Sequence, residues 1–233
     1  MKVSCIMPTA NRAAYIPLAI HCFLSQTWED RELIIVDDGA EPVAGIIPYD
    51  PRIRYAFVLG LGSLGNKRNW ACRLASGEIC LSWDDDDWYA PGRIADVVGL
   101  LISSGKAVAG YHRFYYWNEG DSRAYEYRYT GPGAYASGST QCFRRSWWLG
   151  HKYPDLKTAE DSTFAMGAAR AGQLASKPAG EMMVARGHSR NTWKQPWRSK
   201  AFPEVPRSAL PAEFFRDMEG SRTPGSAATD NLK

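Results

Sequence analysis

Four consecutive carboxylates, Asp84-Asp85-Asp86-Asp87, close the apolar run Ile79 to Trp83. Crowded like charges repel, and the cost falls only when a cation or hydrogen bonds offset it. Hard oxygen donors suit Mn2+ or Mg2+, and Mg2+ is commonly held by one or two carboxylates together with substrate phosphates. The plainer alternative is a solvated acidic loop capping the helix after Pro91; a place at the end of a buried strand favours the metal. A second acidic turn, Asp37-Asp38-Gly39, ends another apolar run. A carboxylate there can accept hydrogen bonds from a base or ribose, or serve only as a turn.

Lys67 and Arg68 adjoin a glycine-rich loop, Gly60 to Gly65, and could reach a diphosphate or lie solvated on a helix face. The loop lacks a Lys-Ser/Thr pair and is not a P-loop, and its glycine spacing is not the dinucleotide fingerprint. Glu160-Asp161 precedes an apolar helical run, where an acidic first turn also suits the helix dipole. His188, in Arg186-Gly187-His188-Ser189-Arg190, could ligate a metal or be a lone surface histidine. Residues 186 to 200 hold five Arg or Lys with Trp193, Trp197 and no acid. Such a stretch can bind phosphates and stack on a sugar or base, or its tryptophans can pack on the domain.

The elements that position these groups follow from periodicity. Val3 to Met7 reads as a buried strand opening at Pro8 into a polar turn, Thr9 to Arg12. Ile16, Ala19, Ile20, Phe23 and Leu24 recur at helical spacing, and Glu32 to Val36 is a second buried strand, completing a βαβ unit. Such units gather their loops at the carboxyl edge of a parallel sheet, where ligands bind. The pattern repeats: strand Ile53 to Val58, helix Lys67 to Ala75, strand Ile79 to Trp83, a helix from Pro91 through Leu101, strand Lys106 to Tyr111. From Arg113 to Tyr135, seven tyrosines or tryptophans among Gly and Pro indicate antiparallel strands. Ala159 to Gly172 is a further helix and Met182 to Ala185 a last strand. The Pro, Ser and Gly content of the tail, residues 201–233, predicts a mobile segment.

The chain has 233 residues, 45% hydrophobic and 23% charged, which indicates one sizeable domain. No run approaches the roughly 20 apolar residues that cross a bilayer, and Met1 to Met7 leads directly into a strand, so the expectation is a soluble, cytoplasmic protein. The five cysteines have no CxxC or metal-ligand spacing and read as reduced, buried thiols. A net charge of +3 is too small to imply a polyanion partner.

In order along residues 1 to 195, these motifs resemble the family-2 glycosyltransferases with the GT-A fold. Ile6-Met7-Pro8-Thr9-Ala10-Asn11-Arg12 is similar to that family's opening, and Ser25 to Trp28 followed by Glu32 to Gly39 to its second block. Lys67-Arg68-Asn69, Ala75 to Ile79 and Asp84 to Pro91 are similar to the segments leading into its DXD region. The resemblance implies an α/β fold: a single Rossmann-like, mainly parallel sheet with flanking helices and a small antiparallel acceptor-side region. It implies a nucleotide-sugar-binding half over 1–110 and an acceptor-binding half over 111–200. It implies Asp38 at the nucleotide base, Asp84 and Asp85 at ribose or metal, Asp86 as metal ligand and Asp161 as general base of an inverting transfer. Pro8, Thr9, Asn11, Arg12, Lys67, Arg68, Glu160, Arg186 and Arg190 would line the donor, and His188 matches a late histidine that some relatives add as a metal ligand.

There are departures. Ala10 stands where many relatives carry an aromatic, and the membrane helices of processive synthases do not follow Trp197, so a single transfer is expected. Gly138-Ser139-Thr140 and Trp147-Trp148 fall in the variable acceptor region and take no individual role. The expected function is transfer of a hexose from a UDP-sugar to an acceptor, most naturally a carbohydrate, with Mn2+ or Mg2+. The alternatives are transfer to a modified base in DNA, a nucleotidyltransferase, which lacks its glycine-plus-lysine loop here, and a nucleic-acid binding protein.

Overall fold

The computed structural model describes residues 1–192 and 194–221. Its first half is the repeated βα pattern. Strands β1 (Val3–Thr9), β2 (Arg31–Asp37), β3 (Ile53–Phe57) and β4 (Ile79–Ser82) run parallel in the order β3-β2-β1-β4. Helices α1 (Ile16–Leu24) and α2 (Leu64–Leu74) make the crossovers. β1, β2 and β4 are buried on both faces, which is why they read as continuous apolar runs. Alternate residues still go to different layers: Val3, Cys5, Met7, Leu33 and Ile35 join one core, Ile6, Ile34 and Val36 the other.

Pro8 sits in this central strand without penalty because β4 pairs with β1 only from Val3 to Ile6, while β2 continues to Thr9. The missing N–H falls where β4 has already diverged. That divergence leaves the carboxyl ends of β1 and β4 apart, with Thr9 to Arg12 on one side and Asp84 to Asp87 on the other.

After the aspartate run come β5 (Trp88–Tyr89) and α3 (Arg93–Ser104). The expected strand at Lys106 to Tyr111 is the start of an eleven-residue strand, β6 (Val108–Asn118). β6 pairs antiparallel with β7 (Arg123–Arg128) and with β8 (Cys142–Arg144), and β8 joins it to β4. Helix α4 (Arg145–Gly150) and helix α5 (Glu160–Arg170) follow. β9 (Leu174–Pro178) and β10 (Met183–Gly187) pair parallel with β6, and β10 also pairs antiparallel with β5. The last pairing sets the end of the aspartate run beside Arg186 to His188. The described strands thus form one curled, mixed sheet, mostly parallel, as the α/β expectation required.

Residues 201–221 differ from the expected mobile tail. β11 (Glu204–Val205) extends the sheet at β7, and α6 (Ala212–Gly220) buries Phe214, against Trp88 and Trp117, and Met218 one helical turn on. The two buried side chains of this amphipathic helix, four positions apart, outweigh the Pro and Ser content of the segment. Residues 222–233 lie outside the described residues. All five cysteines are buried and unpaired. Among the described residues no helix is long and apolar enough to cross a membrane.

Candidate functional site

A cleft of about 690 Å³ opens at the carboxyl edge of the sheet. On one wall, Ser63 caps α2 by accepting from Asn66 N at 3.1 Å, and this orientation sends Lys67 and Arg68 inward. Lys67 Nζ lies 2.5 Å from Asp38 Oδ1 and donates to Thr9 O at 3.2 Å, tying the ends of β1 and β2 together. Asp37 does the structural work of the turn. It accepts from Gly39 N at 2.9 Å, Val43 N at 3.1 Å and the Tyr55 hydroxyl at 2.8 Å, and leaves Asp38 at the edge of the cleft. Asn11, with φ 56°, turns its side chain toward Ala40 N at 2.8 Å, so it shapes the loop and is not among the cleft-lining residues.

The four aspartates separate by role. Asp85 accepts from Thr9 Oγ1 at 2.6 Å and Arg12 Nη1 at 2.9 Å. One carboxylate oxygen from each of Asp84, Asp86 and Asp87 lies within 4.8 Å of the other two. Asp86 Oδ2 is also bonded by Arg12 Nη1 at 2.9 Å and by Asn191 Nδ2 at 3.3 Å, and His188 Nε2 lies 3.0 Å from it. Asp87 accepts from Arg186 N at 3.1 Å, the direct product of the β5–β10 pairing. His188 is buried, and its ring stacks on Tyr15 at 4.3 Å. Arg12 Nη2 donates to Arg190 O at 2.7 Å, which holds the 188–191 turn over the run.

Burial raises the pKa of Asp85 to about 7, with the neighbouring Asp86 charge adding to it. Burial and the charge of Asp86 likewise push Asp87 well above the carboxylate range. Burial raises Asp84 too, against the opposing pull of Arg68. Burial works in the same direction on Asp86, but bonding from His188 and the charge of Arg12 outweigh it and hold this carboxyl below its ordinary value. One carboxylate of the run is thus charged outright while its neighbours resist ionisation, the condition that a divalent cation relieves. Three clustered carboxylate oxygens are hard donors of the kind that suits a divalent cation.

The opposite wall comes from the second half of the chain. Arg68 Nε donates to Glu160 Oε1 at 3.0 Å and Nη2 to Asp84 Oδ1 at 3.2 Å, joining the walls at their base. Asp161, next on α5, lines the cleft with Tyr116, Tyr127, Tyr135 and Ser137. Its Oδ1 accepts from Ser162 N at 2.5 Å, and the Ser162 and Tyr135 hydroxyls lie 3.3 Å apart.

The sequence profile of glycosyl transferase family 2 matches residues 4–174. The chain belongs to that family. Among its relatives, the putative colanic acid biosynthesis glycosyl transferase WcaA of Escherichia coli is 33% identical over 122 residues, covering 50% of this chain and 42% of that protein. An uncharacterized glycosyltransferase of Rickettsia conorii, RC0461, is 36% identical over 104 residues, 42% of this chain and 17% of that one. Staphylococcus aureus TarS 1-349, solved in complex with UDP-GlcNAc, superposes with a TM-score of 0.65 at 20% identity, covering 82% of this chain and 60% of that one. The mannosyltransferase PcManGT of Pyrobaculum calidifontis, solved with GDP-Man and Mn2+, gives 0.60 at 16%, covering 81% and 58%. These likenesses establish the GT-A fold, and the chain spans well under two thirds of the length of each of these proteins.

Within that family-2 frame, Pro8, Thr9, Arg12, Lys67, Arg68, Asp84, Asp85, Asp86, Glu160, Asp161, Arg186 and Arg190 all line the cleft. Asp38, Asn11 and His188 stand behind the lining, as partners of Lys67, Ala40 and Asp86. Asp87, named in the sequence only as the end of the acidic run, completes the trio, and Asn191, which the sequence did not single out, bonds Asp86 while its Oδ1 accepts from His188 N at 2.5 Å. An Asn that reaches back to the N–H three residues earlier leaves no distinctive local signal in the sequence. Trp197 does not present its face to the cleft: it packs on Tyr125 at 4.7 Å and Tyr116 at 5.7 Å. A Cβ at Gly187 would overlap its ring. Trp193 lies outside the described residues.

Proposed function

We propose that this protein transfers a hexose from a UDP-sugar to an acceptor hydroxyl with inversion, using Mn2+ or Mg2+. The observation that carries the proposal is the convergence of the Asp84, Asp86 and Asp87 oxygens in the same cleft as Asp161. When bound by those three carboxylates, a divalent ion supplies positive charge to a leaving diphosphate. The Lys67–Asp38 pair marks the side of the cleft for the nucleotide base, and Arg12 and Arg190 bring further positive charge to the phosphate end.

Asp161 accepts the proton of the acceptor hydroxyl as that oxygen forms its bond to the anomeric carbon. The anomeric carbon's bond to the diphosphate oxygen breaks in the same step, and its electron pair leaves with the nucleoside diphosphate. A single displacement from the face opposite the leaving group inverts the anomeric centre. Arg68 Nε holds Glu160 Oε1 at 3.0 Å beneath this step, so Asp161 is set by the start of a helix tied at its base.

The UDP-GlcNAc complex of TarS supports a uridine donor, and the Mn2+ complex of PcManGT supports the metal. Packing of Trp197 against Tyr116 and Tyr125 accounts for part of the basic, aromatic stretch without nucleic acid, which favours a carbohydrate acceptor. The test is a thermal-shift panel of UDP, GDP, CDP and dTDP sugars with and without Mn2+, since a ligand of the native state raises its apparent stability. A shift confined to UDP-sugars plus Mn2+ is expected. A shift with another nucleotide overturns the donor, and UDP-sugar shifts that ignore Mn2+ overturn the metal.

A further inference from the structure

The turn at Gly138–Thr140 forms part of the wall beside Asp161, and the proposed reaction makes no use of it. It is held from several sides. Thr140 Oγ1 accepts from Tyr111 N at 2.8 Å and lies 2.7 Å from Ser137 O. The buried Arg93 guanidinium, between the rings of Tyr89 and Tyr111, donates Nη2 to Ser139 O at 3.1 Å. Gln141 Nε2 donates to Ala136 O at 3.2 Å and to Asp161 O at 2.9 Å, tying the turn to the start of α5.

Against this fixed turn rests the Asp161 side chain. A Cβ built on Gly138 would overlap the Asp161 carboxylate and come 2.8 Å from Asp161 Cβ; its three nearest neighbours are all atoms of that side chain. Gly138 has no left-handed φ, so its backbone would accept any L-residue. The missing side chain is therefore required by Asp161 and by nothing in the turn itself.

We infer that Gly138 is a positioning residue for the general base: its bare Cα is the space in which the Asp161 carboxylate sits while facing the cleft. The inference rests on Asp161 being that base. A methyl group at 138 meets a tethered turn on one side and a short side chain on the other. The side chain yields, by rotation about χ1, and its carboxylate leaves Ser162 N and the acceptor's position. Base catalysis depends on hydrogen-bond reach, and small misplacements lower rates steeply.

The experiment is a cycle of Gly138→Ala, Asp161→Ala and the double variant. Each is followed by release of UDP from UDP-N-acetylglucosamine with Mn2+, water serving as acceptor, and by thermal unfolding. Gly138→Ala is expected to lower turnover by about 100-fold, within the range of lost base catalysis, with donor KM changed less than about twofold. In the Asp161→Ala background, where only the 2.8 Å approach to Cβ remains, the same substitution should leave turnover unchanged and lower Tm by less than it does in the wild type. Gly138→Ala that folds only in that background also supports the contact. Wild-type turnover in Gly138→Ala overturns the inference. So does an equal Tm loss, or failure to fold, in both backgrounds. Wild-type turnover in Asp161→Ala alone removes the base assignment itself, whatever Gly138→Ala does.

Discussion

The two walls of the cleft hold their carboxylates in opposite ways. On the proposed donor wall Asp84, Asp85, Asp86 and Asp87 are crowded, the last three buried, and Arg12, Arg68 and His188 compensate them only in part. On the proposed acceptor wall Asp161 stands among neutral hydroxyls and aromatic rings, while the buried acid beside it, Glu160, is paired with Arg68. The donor wall stores repulsion that a ligand can release; the acceptor wall stores geometry. Substitutions should therefore separate the walls by what they change, ligand binding on one and turnover on the other.

The largest effect is expected at Asp86. Asp86→Ala should lower UDP-sugar turnover by on the order of 1000-fold, the scale of charge stabilisation a metal supplies, and abolish the Mn2+-dependent thermal shift. Turnover that survives in this variant with chelator present would erase the distinction between the walls. Next is the join between them. Arg68 is 2% and Glu160 1% exposed, so Arg68→Met strands a buried carboxylate, a loss of about 3–5 kcal/mol read as a lower urea midpoint. Burial already raises the pKa of Glu160, so the loss should shrink at pH 5, where the stranded group takes up a proton.

Asp161→Asn should lower turnover by about 100-fold, with donor KM and the Mn2+ shift unchanged. A raised KM would make Asp161 a binding residue and move it to the donor wall. The smallest effect is a gain. Asp85 has a native pKa of about 7 against an ordinary 3.8, so the native state binds the extra proton between those values. Its contribution to stability is present below about pH 4 and is lost as pH rises through 7. With chelator present, Asp85→Asn should match the wild type near pH 5 and exceed it at pH 8 by about 2–4 °C in Tm, roughly 1 kcal/mol for a chain of this size. Saturating Mn2+ should reverse the order, because a cation favours the charged form.

The donor wall was legible because its parts are local. Each acidic or basic group follows a strand or opens a helix, and strand, turn and helix signals lie within a few residues of Thr9, Asp38, Lys67 and Asp84. The separation of Asp85 from its neighbours was not legible, since it depends on Thr9 and Arg12 arriving from β1. The acceptor wall is assembled from β6, β7, the 138–140 turn and α5, which are distant in sequence, so neither Gly138 nor Tyr135 carries a local signal. The short strands β5, β8 and β9 exist only through partners elsewhere in the chain. At the other end, the turn-forming residues between 203 and 211 hid the amphipathic spacing of Phe214 and Met218.

The five buried thiols have a practical consequence. Cys5, Cys22, Cys72, Cys80 and Cys142 sit on β1, α1, α2, β4 and β8, within the two core layers. Burial pushes Cys22 and Cys142 up to about 12, and only a thiolate reacts. A thiol reagent therefore meets no reactive cysteine until the central sheet opens, so its rate of reaction is a built-in clock for that opening, one that donor and metal should slow.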